Sequence, residues 1–282
     1  MLPHPLITTQ ELGVRLHDPG LVVFDASWYL PASGRDGRLE FIAGHIPGAR
    51  FFDIEAFSDA SSVLPHMLPA AGDFEAGARA LGVRRDSQVV VYDGSGANLS
   101  AARVWWMFRT FGHADVVVLD GGLAKWRHEG RPLETGVPAG ALVGDFSARL
   151  DPRHVIDLGT LQDRLLSGGA QVVDMRSGGR FTGREPEPRP GLRGGHIPGS
   201  ASLPYTELVA EDGTVLAPER LRARLARSGI DARRPVVATC GSGVSACALL
   251  LALASLGTDG HVLYDGSWSE WGGRADTPVA RP

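Results

Sequence analysis

The feature that most constrains the fold is a series of motifs that occurs twice in the 282-residue chain. Each half contains an apolar run ending in aspartate, a Gly-His-Ile-Pro-Gly turn, a second apolar run shortly before Gly-Ser-Gly, and a segment that starts with Asp-Gly and ends in tryptophan. The copies are 149, 151, 147 and 145 residues apart for the pairs Asp25 and Asp174, Gly44 and Gly195, Asp93 and Cys240, and Asp120 and Asp265. So constant a spacing indicates that one structural unit has been duplicated.

Short apolar runs alternate with helix-like segments in each half, which is typical of a parallel sheet flanked by helices on both faces. The predicted strands are Leu21–Asp25, Gln88–Asp93, Asp115–Asp120, Gln171–Asp174 and Pro235–Thr239. Helices are predicted to begin after Thr8, which precedes an acidic first turn, and after Asp73, and to cover residues 74–81, 100–111 and 246–256. The sequence therefore predicts an α/β fold of two tandem domains, each with a mainly parallel sheet.

Residues 139–152, between the two copies, hold glycine, proline, alanine and scattered charges without a strand or helix pattern. We interpret this stretch as a linker. It separates an N-terminal domain over residues 1–138 from a C-terminal domain over residues 153–282. Because Asp93 stands in the first copy where Cys240 stands in the second, only the C-terminal domain is expected to be chemically active.

Composition argues against several classes of function. The net charge is −4 and no basic run occurs, so a nucleic-acid partner is not expected. The longest apolar run, Val244–Leu256, is too short to cross a bilayer, and the N-terminal segment shows no export signal, so no membrane association is expected. Cys240 and Cys247 are poorly spaced for a disulfide, which fits a reducing, cytoplasmic compartment. No metal site is expected from the His and Cys spacing, and no cofactor is predicted.

A six-residue turn, Cys240–Ser245, joins the predicted strand Pro235–Thr239 to a helix rich in alanine and leucine. A thiol at this place lies at the carboxyl end of a strand and at the N-terminus of a helix, where backbone N–H groups and the helix dipole favour an anion. We therefore predict that Cys240 is a nucleophile. Cys247, inside the apolar helix, is interpreted as a core residue.

The residues after Cys240 predict a nest of N–H groups around an anionic sulfur. Gly241 and Gly243 permit the backbone angles that such a loop needs, and Ser242 and Ser245 add hydroxyl donors beside the backbone N–H groups. Val244 completes the turn before the helix. The predicted anion-binding loop therefore consists of Gly241, Gly243, Val244 and Ser245, with Ser242 as a further hydroxyl near the thiol.

Two other functions were weighed against this loop and fail. The run Gly241–Ala246 fits a dinucleotide-binding fingerprint, but only 17 residues follow Asp265, too few to complete a nucleotide-binding sheet. A cysteine phosphatase needs an arginine six residues after its cysteine, and Ala246 stands at that position.

These residues resemble a known family. Cys240–Ala246 is similar to the active-site loop of the two-domain rhodanese-type sulfurtransferases, and within that family to the group that uses 3-mercaptopyruvate. Ser245 stands where the family more often has threonine, which keeps the hydroxyl, and Met175 where a small residue is usual. The resemblance covers nearly the whole chain, and the other matching segments are residues 25–30, 44–48, 51–53, 103–108, 120–122, 179–181, 185–189, 194–199 and 264–268.

The resemblance implies that Cys240 takes sulfane sulfur from 3-mercaptopyruvate, releases pyruvate and becomes a persulfide. A small thiol, cyanide or a thioredoxin-like protein then removes the sulfur. The family places substrate-binding arginines at the positions of Arg180 and Arg189, in a segment over residues 178–190 that we interpret as a loop. Guanidinium groups suit the carboxylate and carbonyl of a 2-oxo acid.

The histidines of the repeated turn have two interpretations. His45 and His196 occupy matching positions, so a structural role in a shared turn is one of them. The resemblance implies the other, in which His45 approaches the active cysteine together with Ser242 and a carboxylate such as Asp36. The catalytic residues expected on this basis are Cys240, Ser242 and His45.

The sulfur donor is argued from the charge of the loop. Thiosulfate is a dianion, and relatives that use it carry basic residues directly after the cysteine, whereas Gly241 and Ser242 are neutral. A less positive loop favours the monoanionic mercaptopyruvate. Two alternatives remain open: a thiosulfate:cyanide sulfurtransferase, and a non-catalytic sulfur carrier or binding module.

Overall fold

Two units make up the chain, whose computed structural model describes residues 4–169 and 171–281. The first unit contains Met1–Ala60, Leu68–Asp151 and Ala210–Val215, and the second contains Ser61–Met67, Pro152–Val209 and Leu216–Pro282. Each half of the sequence therefore contributes a short segment to the unit built mainly from the other half. Within the described residues, no helix is long and apolar enough to cross a membrane.

The first unit is a five-stranded parallel sheet flanked by helices. Its strands are β1 (Leu6–Ile7), β2 (Leu21–Asp25), β3 (Arg50–Phe51), β4 (Gln88–Tyr92) and β5 (Val116–Leu119). Its helices are α1 (Thr9–Arg15), α2 (Gly37–Ala43), α3 (Ala71–Ala80), α4 (Leu99–Thr110) and α5 (Gly122–His128). The strands lie in the order β1-β5-β4-β2-β3, and every neighbouring pair is parallel.

The second unit repeats this arrangement. Its strands are β6 (Val155–Ile156), β7 (Gln171–Asp174), β8 (Ala201–Ser202), β9 (Val236–Thr239) and β10 (Val262–Tyr264). Its helices are α6 (Leu158–Leu166), α7 (Gly178–Thr182), α8 (Pro218–Arg227), α9 (Ala246–Ser255) and α10 (Ser267–Trp271). The order β6-β10-β9-β7-β8 matches that of the first sheet strand for strand, and again all pairs are parallel. The predicted fold class is confirmed.

Burial explains why the central strands and helix form where they do. All four residues of β9 are buried, which suits a strand covered on both faces of its sheet. Helix α9 is buried from Ala246 to Leu253, so its apolar character on every side places it in the core rather than at the surface. Together they fix the position of the turn between them, which begins at Cys240.

Three local details differ from the sequence predictions. Strand β4 ends at Tyr92, so Asp93 lies outside it. Asp73 does not cap α3, which follows Ala70 as its N-cap, but lies in the first turn, where its charge is favourable to the helix dipole. Residues 178–182, expected in a loop, form helix α7, because the Ser177 hydroxyl accepts the N–H of Arg180 and caps the helix.

The stretch predicted as a linker lies against the first unit without regular secondary structure. Phe146 is buried, and its N–H donates to the carbonyl of Val83 at 3.2 Å. The N–H of Gly144 donates to the Arg79 carbonyl at 2.8 Å. These contacts make the stretch up to Asp151 part of the first unit, and the second unit resumes at Pro152.

Segment Ala210–Val215 is attached to the first unit by the only lysine in the sequence. The ammonium group of Lys125 lies 2.8 Å from a carboxylate oxygen of Asp212, and that hydrogen bond lowers the pKa of Asp212 to about 2. The N–H of Val215 donates to the carboxylate of Asp120 at 2.8 Å. Polar contacts at both ends thus hold the segment in place.

The aspartates that end β2 and β7 occupy matching positions in different surroundings. Asp174 accepts several hydrogen bonds from the Arg176 guanidinium at 2.6–3.1 Å. The first unit has Ser27 in place of that arginine, and its N–H donates to Oδ1 of Asp25 at 2.8 Å. Among the described residues, Oδ2 of Asp25 has no hydrogen-bond partner. Burial raises the pKa of Asp25 from 3.8 to about 6, because no arginine compensates the charge.

We predict that stability depends on pH through Asp25. The folded state holds this proton to a higher pH than the unfolded chain, so the stabilising contribution is full below about pH 4 and is lost as pH rises through about 6. Asp25→Asn keeps the shape without the charge and should gain about 1–2 kcal/mol relative to wild type between pH 5 and pH 8. Denaturant midpoints of both proteins at the two pH values measure this.

The matched control is Asp174→Asn, which removes a charge partner from the buried Arg176. It should lower the free energy of unfolding at both pH values. A difference between Asp25→Asn and wild type that does not change with pH would contradict the assignment.

Candidate active site

Cys240 lies where the sequence predicted it, directly after β9 and at the head of α9. Strand β9 pairs with β7 on one side and β10 on the other, so the carboxyl ends of three parallel strands meet at this turn. In open α/β sheets such a place is the usual location of a binding crevice. The thiol is a free cysteine that is only 2% exposed. The turn therefore forms a small enclosed site.

The carbonyl groups at the start of the turn are anchored by the segment that follows β10. The N–H of Trp268 donates to the carbonyl of Cys240 at 3.0 Å. The N–H and the hydroxyl of Ser269 both donate to the carbonyl of Gly241, at 2.8 and 2.7 Å. The Ser267 hydroxyl accepts the N–H of Cys240 at 3.3 Å and donates to the carbonyl of Tyr264 at 2.9 Å. The backbone of the turn is thereby fixed.

Ser267 adopts a left-handed backbone conformation, with φ of 49°, which is unusual for a residue other than glycine. At the matching position the first unit has Gly122, with φ of 55°. A positive φ therefore occurs at this position in both units, and in the second the residue that adopts it carries a side chain. A strained residue is kept where it makes a contact that glycine cannot make, here the hydrogen bond from Cys240.

Most N–H groups of the turn remain available to a ligand. Within the part of the chain that the structure describes, the N–H groups of Gly241, Ser242, Val244 and Ser245 have no hydrogen-bond partner. Gly243 adopts a φ of 77°, which allows the chain to turn sharply into α9. Free N–H groups at a helix N-terminus bind anions. The turn can therefore stabilise a negatively charged sulfur on Cys240.

A histidine that the sequence analysis did not identify lies against the turn. His66 belongs to the segment Ser61–Met67, which is part of the second unit, and its Nδ1 is 2.9 Å from the Ser242 hydroxyl. Both side chains are buried, at 3% and 6% exposure. His66 also has a left-handed backbone, with φ of 59°. An imidazole and a hydroxyl in contact, close to a thiol, can exchange a proton with a bound ligand.

A buried chain of alternating charges lies beside the turn. Arg176 is fully buried and pairs with Asp174 at 2.6 Å and with Glu187 at 2.6 Å, while its guanidinium stacks 4.1 Å from the centre of the Trp268 ring. Burial alone would lower the pKa of Arg176, but the two carboxylates raise it. The other oxygen of Glu187 accepts hydrogen bonds from Nη2 and Nε of Arg180, at 2.5 and 3.1 Å.

Arg180, one of the two arginines expected to bind substrate, faces the active turn. A Cβ atom on Gly241 would lie only 3.0 Å from Nη2 of Arg180, so the two residues are in direct contact. Nη1 of Arg180 donates no hydrogen bond to the described residues and remains available to a ligand. Arg189, the second expected arginine, is half-buried in the segment that follows α7.

His45 and Asp36 both make structural contacts within the first unit. His45 is 1% exposed in the first unit, where its Nδ1 is 2.8 Å from the carbonyl of Phe41 and its ring stacks on the Phe41 ring. His196 stacks in the same way on Phe181 in the second unit. Asp36 caps α2 by accepting the N–H of Leu39 at 2.9 Å. These contacts favour the structural interpretation of the repeated histidine turn, and the imidazole that contacts Ser242 is that of His66.

A model of the rhodanese-like domain matches the chain twice, at residues 8–129 and 157–274. The chain belongs to the rhodanese family. It is 48% identical to human 3-mercaptopyruvate sulfurtransferase over 277 residues, which cover 96% of this chain and 92% of the relative. It is 44% identical to the thiosulfate sulfurtransferase of Cricetulus griseus over 277 residues, 96% of this chain and 93% of the relative.

A solved structure with the same fold is SseA from Escherichia coli, described as a 3-mercaptopyruvate sulfotransferase. It superposes with a TM-score of 0.85 at 40% sequence identity, covering 94% of this chain and 99% of that one. The rhodanese fold is thus conserved over nearly the entire length of both chains.

The first rhodanese-like domain carries its own anion in the matching turn. The carboxylate of Asp93 accepts the N–H of Ser95 at 2.8 Å, its hydroxyl at 2.5 Å, the Ser100 hydroxyl at 3.2 Å and the N–H of Ala101 at 2.9 Å. Asp93 therefore occupies the donors at the head of α4. In the second rhodanese-like domain Cys240 leaves the corresponding turn available, which supports the prediction that only this domain is active.

Cys247, interpreted from sequence as a core residue, is buried in α9, and its thiol contacts the carbonyl of Gly243 at 3.3 Å. Among the described residues, no group of three or more His, Cys, Asp or Glu side chains is placed to hold a metal ion.

The residues that the sequence analysis missed share one property. His66, Arg176, Glu187, Ser267 and Ser269 all reach the site through contacts between segments distant in sequence or through buried charge pairs. For Arg176, the sequence offered one indication of a role. It lies two residues after Asp174, where the first copy has Ser27 after Asp25.

We predict that Ser267→Ala and Ser267→Gly differ in stability. Both variants lose the hydrogen bond with Cys240, worth about 1 kcal/mol, but glycine also relieves the left-handed strain by about 1 kcal/mol. Ser267→Gly should therefore unfold at a higher denaturant concentration than Ser267→Ala and close to wild type. Equal midpoints for the two variants would show that no strain is stored at this position.

Proposed function

We propose that Cys240 is the sulfur carrier of an enzyme that transfers sulfur from 3-mercaptopyruvate to a thiol acceptor. The observation that carries this proposal is the enclosed turn, in which a buried free thiol stands at the head of α9 among unoccupied N–H donors. Such a turn suits an anionic persulfide, and no carboxylate fills it as Asp93 fills the first copy. The names of the human and Escherichia coli relatives agree with this donor.

The first half-reaction is balanced without a cofactor. The Cys240 thiolate attacks the sulfur of 3-mercaptopyruvate, an S–S bond forms and the C–S bond of the donor breaks. The electron pair of that bond goes to carbon, and the proton of the donor thiol is transferred to the same carbon, so pyruvate leaves. Cys240 retains one sulfur as an anionic persulfide, which the N–H groups of the turn stabilise.

Ser242 and His66 serve the proton transfer. The donor thiol must lose its proton as its sulfur is attacked, and the departing carbon must receive one. The Ser242 hydroxyl stands two residues after Cys240 and is 2.9 Å from Nδ1 of His66, so a proton can pass between the two side chains. This pair takes the role that the sequence analysis assigned to Ser242 and His45.

Arg180 and Arg189 bind the donor. Nη1 of Arg180 lies beside Gly241 with no hydrogen bond to the described residues, so it is available to the carboxylate or carbonyl of a 2-oxo acid. Glycine at position 241 leaves room for the guanidinium, because a Cβ there would lie 3.0 Å from Nη2 and would require Arg180 to shift. Arg189, in the segment after α7, completes the donor site.

The second half-reaction returns Cys240 to its thiolate. An acceptor thiolate, from a small thiol or a thioredoxin-like protein, or cyanide attacks the outer sulfur, and the S–S bond breaks. Both cysteines are free thiols, which is consistent with the reducing cytoplasmic compartment proposed for the protein.

Thiosulfate is the alternative donor. One relative at 44% identity is named a thiosulfate sulfurtransferase, so overall similarity does not separate the two donors. The charges around Cys240 distinguish the two donors. Gly241 and Ser242 add no positive charge, and Glu187 offsets the charge of Arg180. A dianion gains less from such a site than from one with basic residues beside the cysteine.

A comparison of donors tests this function. We predict that kcat/KM for 3-mercaptopyruvate, measured as pyruvate release with a small thiol and with thioredoxin as acceptors, exceeds that for thiosulfate. A clear preference for thiosulfate would contradict the donor assignment. Absence of turnover with either donor would instead support a non-catalytic sulfur carrier.

The His66→Asn variant tests the proton-transfer pair in the same assay. Thiosulfate carries no thiol proton, so its transfer needs no such pair. We predict that kcat/KM for 3-mercaptopyruvate falls about 100-fold while that for thiosulfate changes little. An equal loss with both donors would show that His66 only packs against the turn.

A further inference from the structure

Glu187 connects two arginines beside the active turn and takes no part in the sulfur or proton transfer described above. We propose that Glu187 is a positioning residue that orients Arg180 and, by offsetting its charge, tilts donor selection toward a monoanion and away from a dianion. This inference rests on the proposed function, because it assumes that Arg180 contacts the sulfur donor.

The geometry of Glu187 fixes the orientation of Arg180. Its side chain is 1% exposed, with Oε1 2.6 Å from Nη1 of Arg176 and Oε2 2.5 Å from Nη2 of Arg180. Nε of Arg180 donates a second hydrogen bond to the same Oε2, at 3.1 Å. Two hydrogen bonds to one carboxylate oxygen define both the position and the rotation of the guanidinium. Nη1 is thereby the part of Arg180 left for a ligand.

Glu187 is itself held in place by a fixed partner. Arg176 is fully buried between Asp174 and Glu187 and stacks on Trp268, the residue whose N–H anchors the Cys240 carbonyl. Glu187 therefore connects the buried Arg176 of the core to the partly exposed Arg180 of the proposed donor site. The side chain of Arg180 is 19% exposed.

Charge balance gives the electrostatic consequence. Asp174, Arg176, Glu187 and Arg180 carry two negative and two positive charges, so the cluster is formally neutral. A neutral cluster offers directed hydrogen bonds to a carboxylate with little net attraction for extra charge. Removal of the Glu187 charge would leave the cluster at +1, and a dianion gains about twice as much from that change as a monoanion.

The matching pair in the first unit lacks this link between two arginines. Arg35 pairs with Glu40 at 2.6 Å and lies near Gly94, the counterpart of Gly241. That pair is partly exposed, at 42% and 32%, and among the described residues no second arginine forms an ion pair with Glu40. Glu187, by contrast, is buried and shared between two guanidinium groups.

Glu187→Gln tests the inference, with Glu185→Gln as the matched control. Glu185 lies in the same segment, is exposed and accepts a hydrogen bond from the Ser177 hydroxyl, so its substitution changes the net charge equally. For each protein, kcat/KM is measured with 3-mercaptopyruvate and with thiosulfate at low and high salt. We expect Glu187→Gln to shift the ratio toward thiosulfate roughly tenfold at low salt, and less at high salt. Glu185→Gln should leave the ratio near that of wild type.

A second variant separates positioning from charge. Glu187→Asp keeps the charge but is too short to reach both arginines, so KM for 3-mercaptopyruvate should rise while the donor ratio stays close to wild type. If Glu187→Gln does not fold, this variant still decides the positioning role, since an unchanged KM would overturn it. A donor ratio in folded Glu187→Gln equal to that of Glu185→Gln would overturn the charge role. Wild type that releases no pyruvate from 3-mercaptopyruvate would overturn the proposed function instead.

Discussion

The site depends on the anchoring of two carbonyl groups. Trp268 and Ser269 donate to the carbonyls of Cys240 and Gly241, which fixes the first two peptide units of the turn. Within the described residues, the N–H groups of Gly241, Ser242, Val244 and Ser245 have no hydrogen-bond partner and are available to a sulfur anion. The strain of the left-handed Ser267 is offset by the hydrogen bonds that it forms with Cys240 and Tyr264. The proposed stabilisation of a reactive sulfur thus relies mainly on backbone N–H groups, since Glu187 offsets the charge of the neighbouring Arg180.

The duplicated fold contains its own comparison. The N–H of Leu123 donates to the carbonyl of Asp93 at 3.0 Å, as that of Trp268 does to Cys240, so both units share the anchored turn. What differs is the side chain at its head. Asp93 fills the donors with its own carboxylate, whereas Cys240 leaves them for a persulfide. The same contrast appears at Asp25 and Asp174, because the second copy adds Arg176 and, through Glu187, a link to Arg180.

Much of this could be predicted from the sequence, for reasons that are physical. Each strand and its following turn lie close together in the chain, so the repeat, the parallel sheets and the place of Cys240 are local signals. His66 could not be found in this way, because the segment Ser61–Met67 packs with the second unit, and nothing in its composition indicates that. For His45 the sequence left two interpretations, and its stacking on Phe41 favours the structural one. The pairing of Arg180 with Glu187 also depends on tertiary burial.

Transfer of one sulfur to Cys240 is the central claim, and a single-turnover experiment tests it most directly. The wild-type protein and the variants Cys240→Ser and Cys247→Ser are mixed with less than one equivalent of 3-mercaptopyruvate without acceptor, and pyruvate and protein mass are measured. The account predicts one added sulfur on Cys240 for each pyruvate released, in wild type and Cys247→Ser alike, and neither product in Cys240→Ser. Pyruvate release by Cys240→Ser, or added sulfur on Cys247, would contradict it.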